Sequence, residues 1–107
     1  MSEYIHVVAT MSNKNEAERI AKILLEKRVA GCVQIIGPII SMYWWKGKIE
    51  RAEEWLCLIK SRLNLYNELE SLIRENHSYE IPEILAMPII KGNNDYIKWL
   101  NNELKIG

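Results

Sequence analysis

Ser41–Glu50 reads SMYWWKGKIE and joins two segments that both have the composition of β-strands. Residues 32–45 are dense in Val, Ile, Tyr and Trp, whereas residues 49–59 first alternate in polarity and then become apolar. β-Branched and aromatic residues favour strands, and a glycine supplies the positive φ that a tight two-residue turn requires. We therefore predict a long β-hairpin over 32–62 with its turn at Lys46-Gly47.

The remaining segments predict the helices and strands that surround this hairpin. Apolar runs at 4–11 and 84–90 predict two further strands, and helical periodicity follows Asn13, Asn64 and Asn93, each a suitable N-cap residue. Asn13 and Glu16 also have the spacing of a capping box. The order β-α-β-β-α-β-α predicts an α+β fold of the split βαβ type, an antiparallel sheet with two helices on one face and an additional C-terminal helix.

The second face of this sheet needs a cover that one chain does not supply. The C-terminal helix is too short to hide a whole sheet face, and Trp44 and Trp45 lie at the tip of the hairpin. Extended exposed strands with large apolar side chains are normally covered by another chain. We therefore expect the protein to associate with itself.

Length and charge exclude several classes of protein. A chain of 107 residues has room for one domain, predicted over 1–107. Fourteen basic residues balance fourteen acidic ones, so no long-range field attracts nucleic acid or an anionic membrane, and we expect neither as a partner. The apolar run 29–45 is interrupted by polar residues and is too short to span a bilayer.

The N-terminus and the cysteines predict an intracellular protein. Residues 1–6 lack the basic and apolar regions of a signal peptide and lead directly into a strand. Cys32 and Cys57 are expected to be reduced, buried thiols, since a chain with a full apolar core does not depend on a disulfide. The expected location is the cytoplasm.

Candidate ligands cluster at the end of the second helix. His77 is followed by Tyr79, Glu80 and Glu83, which together offer nitrogen and oxygen donors. The alternative is that His77 caps the helix as a cation that interacts with the helix dipole. The ligand spacings of zinc sites, a nucleophile with a base and a glycine-rich phosphate loop are all missing, so we predict that the protein is not an enzyme.

Four stretches resemble the CutA family of divalent-cation-tolerance proteins, and they occur in the order that this family has. These are residues 30–33 (AGCV), 43–50 (YWWKGKIE), 76–83 (NHSYEIPE) and 92–100 (GNNDYIKWL). The resemblance implies a ferredoxin-like subunit that assembles as a homotrimer in the cytoplasm and takes part in the response to metal ions.

The resemblance also bears on copper. Family members that are proposed to bind copper combine a thiol in the first strand with two adjacent histidines before Pro-Tyr. The matching positions here are Ala9, Asn76, His77 and Ser78, so only His77 is retained. The resemblance therefore implies weak binding of copper or another divalent metal ion by His77, together with Glu80 or residues of a neighbouring subunit.

Two other functions remain open. One is a trimeric regulator that holds a small molecule or small anion in clefts between subunits, lined by Trp45, Lys60, Tyr79 and Glu83. These four residues could equally serve interface packing and ion pairing. The other is a structural or signalling scaffold, which the neutral charge and the lack of catalytic motifs favour.

Overall fold

A computed structural model describes residues 3–107, in which four strands form one antiparallel sheet in the order β2-β3-β1-β4. The strands are β1 (Tyr4–Met11), β2 (Cys32–Trp45), β3 (Lys48–Arg62) and β4 (Ile84–Pro88), and the helices are α1 (Lys14–Glu26), α2 (Tyr66–Asn76) and α3 (Asn94–Glu103). The predicted α+β split βαβ arrangement with an additional C-terminal helix is confirmed. Pro88 lies in an edge strand, because β4 pairs only with β1.

The main core lies between one face of the sheet and the helices α1 and α2. Alternate residues of β1 and β3, such as Val7, Ala9 and Ile59, are fully buried against Leu24 and Ile73 of the two helices. This alternation is what a strand with one covered face requires, and each large apolar side chain contributes about 1.5 to 3 kcal/mol through burial. The opposite side of the sheet, called the open face below, is not covered by α1 or α2.

The predicted hairpin is present, with its turn between Trp45 and Lys48. The turn residues Lys46 and Gly47 both have positive φ, 49° and 80°, which is the geometry of a turn that matches the twist of the paired strands. The hairpin extends past the end of β1, which stops opposite Trp55. Residues 39–45 and 48–54, called the hairpin arm below, therefore pair only with each other.

A bulge at Gly37-Pro38 changes which side chains of β2 face the helices. The register shifts between Ile36 and Ile39, because a proline within a long strand cannot donate a ladder hydrogen bond. Val33 and Ile35 pack against the core before the bulge. Beyond it, Ile39 pairs with Glu54 on the open face, so the odd-numbered residues of β2 and the even-numbered residues of β3 in the arm point to that face.

The third helix closes one end of the molecule. Leu100 and Leu104 form a small buried cluster with Leu65, while Arg62 donates to the Asn101 side-chain oxygen at 2.8 Å. The prediction that Asn64 caps the second helix is wrong. A 3₁₀ turn at Leu63–Leu65 precedes α2, and the Asn64 side chain accepts a 2.9 Å hydrogen bond from the buried Arg62 instead, since a buried guanidinium needs acceptors.

The bulge generates a stability prediction at Gly37. A Cβ atom added there would overlap the Trp55 indole, so Gly37→Ala should force a rearrangement of the strand pair. We expect a loss of about 1 to 3 kcal/mol in the free energy of unfolding, measured by urea denaturation. In a Trp55→Leu background the same substitution should cost less, because the overlapping ring is gone. An equal cost in both backgrounds would contradict the overlap as the cause.

Candidate functional site

The loop between α2 and β4, residues 77–83, folds over the end of β1 and reaches the base of the hairpin arm. Two side chains fix its path. The His77 ring bonds to the Thr10 carbonyl oxygen of β1, and the Tyr79 hydroxyl donates to Glu54 of β3. The loop thus lies against the open face, and the residues that the sequence places together at 77–83 meet residues of both long strands.

The N-terminus of α1 anchors this loop through Glu16, which is 6% exposed. Its carboxylate accepts hydrogen bonds from the Ser12 amide at 3.1 Å and from the Ser78 amide at 2.8 Å. Burial alone would raise the pKa of Glu16, but the hydrogen bonds from Ser12 and Ser78 outweigh it and the pKa is lowered. The helix cap and the loop therefore share one buried charge.

The capping box predicted at Asn13 and Glu16 is confirmed in one half only. The Asn13 side chain accepts from the Glu16 amide at 2.8 Å, as an N-cap residue does. The Glu16 carboxylate bonds to Ser12 and Ser78 rather than returning to the Asn13 amide. The carboxylate of Glu16, which a capping box would use to accept from the N-cap amide, thus binds the distant loop instead.

Both ring nitrogens of His77 are engaged within the chain. Nε2 lies 2.6 Å from the Thr10 carbonyl oxygen, which can only accept, so Nε2 carries the proton. Nδ1 accepts from the Tyr79 amide at 3.0 Å. His77 is the C-cap residue of α2, but its ring bonds to β1 and to its own loop. The neutral imidazole thus shapes the loop, in contrast to the cationic helix cap considered above.

Tyr79 and Glu54 form a polar pair beside the sheet. The Tyr79 hydroxyl donates to Glu54 Oε2 at 2.8 Å. Burial raises the pKa of Tyr79 above its usual value, and the hydrogen bond to Glu54 raises it further, since the neighbouring carboxylate disfavours a phenolate. The tyrosine therefore remains a proton donor, and its ring packs against His77 with centroids 4.9 Å apart.

An open cleft of about 610 Å³ lies between the loop and the hairpin arm. It is lined by Thr10, Ser41, Met42, Tyr43, Trp45, Glu54, Ser78, Tyr79, Glu80, Ile81 and Glu83. Its volume is in the range of small-molecule sites, about 300 to 1,000 Å³. Its lining contains three aromatic rings and three carboxyl groups and no Lys, Arg or His, so the cleft favours cations.

Three of the four residues predicted to line a cleft meet there, namely Trp45, Tyr79 and Glu83. Lys60 lies elsewhere in the chain. It pairs with His6 and Cys32 across the sheet, about 20 Å along β3 from Glu54, and donates to the Gln34 side-chain oxygen. The four residues therefore do not form one site within a single chain, and a cleft between subunits stays a prediction.

Sequence reasoning missed Glu54, the most buried carboxylate of the cleft. It ends the charged segment of β3 and is 5% exposed, whereas its neighbour Glu53 is exposed. The alternation of β3 does not single it out, because Glu53 shares a face with the apolar Cys57 and Ile59 just as Glu54 does with Leu56 and Leu58. Only the position of the loop determines that this face is covered at Glu54.

The described chain does not supply a complete metal site around His77. Within residues 3–107, no three His, Cys, Asp or Glu side chains lie close enough together to hold a metal ion. A metal at His77 would also have to displace the hydrogen bond to Thr10 or to Tyr79. The residues of one chain thus do not fit a preformed copper centre, and metal binding at His77 stays a prediction.

The two thiols are free, as expected, but they differ in environment. Cys57 is buried in the core, and burial raises the pKa of its thiol to about 11, with the Glu16 charge adding to this effect. Cys32 is only partly buried, at the start of β2. The prediction that both are buried is therefore wrong for Cys32. Its strand lies at an edge of the sheet, where one chain alone does not enclose it.

The fold and the site define a class of protein: a small ferredoxin-like subunit with an extended hairpin and a cleft beside it. A family model described as CutA1 divalent ion tolerance protein matches residues 5–103. The crystal structure of CutA1 from Oryza sativa superposes with a TM-score of 0.96 at 37% identity, covering 99% of this chain and 97% of that one. The chain belongs to the CutA1 divalent ion tolerance family.

Two relatives show how far the similarity extends. Divalent-cation tolerance protein CutA of Archaeoglobus fulgidus is 40% identical over 105 residues, which cover 98% of this chain and 100% of that protein. Protein CutA 1, chloroplastic, of Oryza sativa subsp. japonica is 39% identical over 101 residues, which cover 94% of this chain. The chain spans only 57% of the length of the rice protein.

These relatives occupy different compartments. The rice protein is described as chloroplastic, and the structure from Archaeoglobus fulgidus is described as that of a periplasmic protein. Within residues 3–107, no helix is both long and apolar enough to cross a membrane. The predicted cytoplasmic location therefore stays a prediction.

The shared charge at Glu16 generates a prediction about pH. Because its folded pKa is lowered, its contribution to stability is fully present above the unfolded value of 4.5 and is lost as the pH falls through the folded pKa. Glu16→Gln should cost about 1 to 3 kcal/mol at pH 7, since hydrogen bonds to a charged group are replaced. The loss should shrink as the pH falls below 4.5.

Urea unfolding of both proteins at several pH values, at one protein concentration, measures this difference. Glu18→Gln is the matched control, because Glu18 is exposed on the same helix and should change stability little. A cost of Glu16→Gln that stays constant from pH 7 to pH 3 would contradict a role for the Glu16 charge.

Proposed function

We propose that this chain acts in divalent-cation tolerance as a homotrimer whose subunits associate through the open face of the sheet. The observation that carries the proposal is the apolar character of that face. Ile36 of β2 and Leu85 and Met87 of β4 lie on it and are 48%, 58% and 43% exposed. Contiguous apolar surface of this kind on a folded chain is typical of an interface.

The cover for this face has to come from outside the described chain. The helices α1 and α2 both pack on the other face, and α3 covers one end of the molecule, where it contacts β3. A second copy is a suitable cover, because it would bury the exposed Ile36, Leu85 and Met87 and also protect the edge strands β2 and β4. Burial of this apolar surface then stabilises the assembly.

The hairpin arm supplies a second apolar surface, distinct from the open face. Ile40, Trp44 and Ile49 lie on the side opposite the cleft, and each is at least 57% exposed. Two different surfaces on one subunit favour head-to-tail contacts, which close into a ring when the rotation between neighbours permits. A ring of three subunits agrees with this geometry and with the expectation from the family.

The proposed location is the cytoplasm. Cys32 and Cys57 are both unpaired, and free thiols persist in a reducing compartment. Cys32 is partly exposed, so an oxidising environment would leave it open to reaction.

A second candidate function is that of a regulator that binds a small molecule in the cleft. The specific observation is that Trp45, Tyr79 and Glu83 meet at a cleft of about 610 Å³. Trp45 and Tyr43 belong to the hairpin arm, so a ligand there would contact the element that is proposed to join subunits. Ligand binding and assembly would then be coupled through the position of the arm.

The trimer is tested by light scattering on purified protein at micromolar concentration. We expect three times the chain mass of 12.5 kDa. Ile36→Glu should shift the mass towards that of one chain, because it places a charge in an apolar interface and should raise the dissociation constant more than about 10-fold. Ile106→Glu is the matched control, since Ile106 is 98% exposed near the C-terminus and should leave the mass unchanged. A stable monomeric wild type would overturn the proposal.

A divalent metal at His77 is tested by calorimetry with Cu(II) and Zn(II). We expect modest affinity, because the imidazole must first give up a hydrogen bond, and Cu(II) should bind more tightly than Zn(II). His77→Ala should abolish the binding, whereas His6→Ala, which removes the other imidazole of the chain, should retain it. Equal binding by wild type and His77→Ala would show that His77 is not a ligand.

A further inference from the structure

We propose that His6 makes the assembly sensitive to acid: protonation of its imidazole on the open face weakens the contact between subunits. This inference rests on the trimer proposed above and names a way in which its assembly is regulated. It depends on three features of the described residues: the position of His6 in the sheet, the missing partner of its Nε2 atom and the charges around it.

His6 lies within the surface that a neighbouring subunit is proposed to cover. β1 is an inner strand of the sheet, and His6 alternates with Ile5 and Val7, whose side chains are buried on the helical side. The imidazole therefore faces the open side, directly opposite Lys60 of β3 and Met87 of β4. A subunit that covers the exposed Met87 would cover His6 as well.

The Nε2 atom of His6 is buried and has no hydrogen-bond partner. Among the partly or fully buried residues of 3–107, it is the only buried side-chain nitrogen or oxygen without one. A neutral imidazole has one nitrogen that donates and one that accepts, whereas the protonated ring donates from both. Protonation thus places a charged N–H group where the described chain offers no acceptor, and a buried charge without a partner is costly.

The sheet around His6 supplies positive charge and no negative charge. The titratable and charged groups on the neighbouring elements are Tyr4 of β1, Cys32 of β2, Lys60 and Arg62 of β3, Lys91 after β4, and the exposed Asp95, Tyr96 and Lys98 of α3. The strand segments 4–10, 32–36, 55–62 and 84–88 contain no Asp or Glu. No carboxylate in this part of the sheet therefore compensates a charge on His6, whereas Lys60, directly opposite, opposes it.

These surroundings keep the imidazole neutral. Burial lowers the pKa of His6 below its usual value of 6.5, and the positive charge of Lys60 lowers it further. Cover by a neighbouring subunit removes more water and should lower this pKa again, so protons bind more readily to the separated chains. The contribution of His6 to assembly is therefore unchanged above pH 6.5 and turns unfavourable as the pH falls below it.

Three copies of His6 make the response steep. Dissociation of one trimer takes up as many as three protons, so the dissociation constant rises by up to about 1,000-fold per pH unit within this window. The test follows the mass of the purified protein by light scattering across a urea series at pH 7.5, 6.5 and 5.5, where exposed carboxyl groups stay ionised. At a fixed urea concentration, we expect the dissociation constant at pH 5.5 to exceed that at pH 7.5 at least 10-fold. Equal values would overturn the proposal.

Variants assign the response to His6. His6→Gln retains a polar side chain that does not titrate in this range, so its dissociation constant should be the same at pH 7.5 and pH 5.5. His6→Leu serves the same purpose if His6→Gln fails to assemble. Val8→Gln is the matched control, because Val8 lies on the same face of β1, and it should weaken assembly at both pH values and retain the acid response. A response that persists in the His6 variants would assign it to other groups and overturn the proposal.

Lys60→Met tests the charge opposite His6. Without this ammonium group the pKa of His6 should rise, so the onset of dissociation should move to higher pH. An onset that stays in place or moves to lower pH would contradict control of assembly by the charge on His6. Each series is repeated with EDTA, because His6 and Met87 also offer nitrogen and sulfur donors, and a response that EDTA abolishes would belong to a bound metal and overturn the proposal.

The outcomes separate this inference from the trimer on which it rests. A wild type that has the mass of one chain at pH 7.5 without urea would overturn both. A trimer whose dissociation constant is the same at pH 7.5 and pH 5.5 would support the assembly and overturn only the role of His6.

Discussion

The pairing of β3 along its whole length is the constraint on which the rest of the structure depends. One half of this strand, residues 55–62, pairs with β1 and with β2 and forms the floor of the core, whereas residues 48–54 pair only with β2 in the arm. Because the two halves belong to one continuous strand, the direction of the arm is fixed by the core. The cleft at the base of the arm is fixed in the same way.

The loop at 77–83 connects the helical layer to this strand. Glu16 at the start of α1 bonds to the Ser78 amide, and the Tyr79 hydroxyl bonds to Glu54. These contacts pass from the helical side of the sheet to its open face, with His77 bonded to β1 between them. Buried polar networks of this kind are stable when each member has its hydrogen-bond partners. A substitution of Glu16 in α1 should therefore also affect the loop beside the cleft.

Although the chain has no net charge, its apolar and charged side chains occupy different parts of the surface. The helical face is apolar and closed, the open face is apolar and exposed, and the cleft between the loop and the hairpin arm is acidic and aromatic. The family to which the chain belongs is described by tolerance of divalent ions. The lining of the cleft favours cations, whereas both ring nitrogens of His77 are occupied by hydrogen bonds within the chain.

The sequence by itself determined the elements and most of their order. The hairpin turn at Lys46-Gly47, the bulge at Gly37-Pro38 and the cap at Asn93 follow from local rules of backbone geometry and hydrogen bonding, and the structure contains all three. Periodicity of two and of 3.6 residues identified the strands and helices. These features depend on residues that are neighbours along the chain.

The tertiary structure decided the features that depend on distant segments. Asn64 is an acceptable N-cap by local rules, but the buried Arg62 uses its side chain. Lys60 and Glu54 lie on the same strand and the same face, yet only Glu54 meets the loop that carries Tyr79. Long-range packing therefore decides that Glu54 is buried and that Lys60 lies away from the cleft. The burial and the partners of a side chain depend on which distant segments pack against it, and the spacing of residues along the sequence does not encode those contacts.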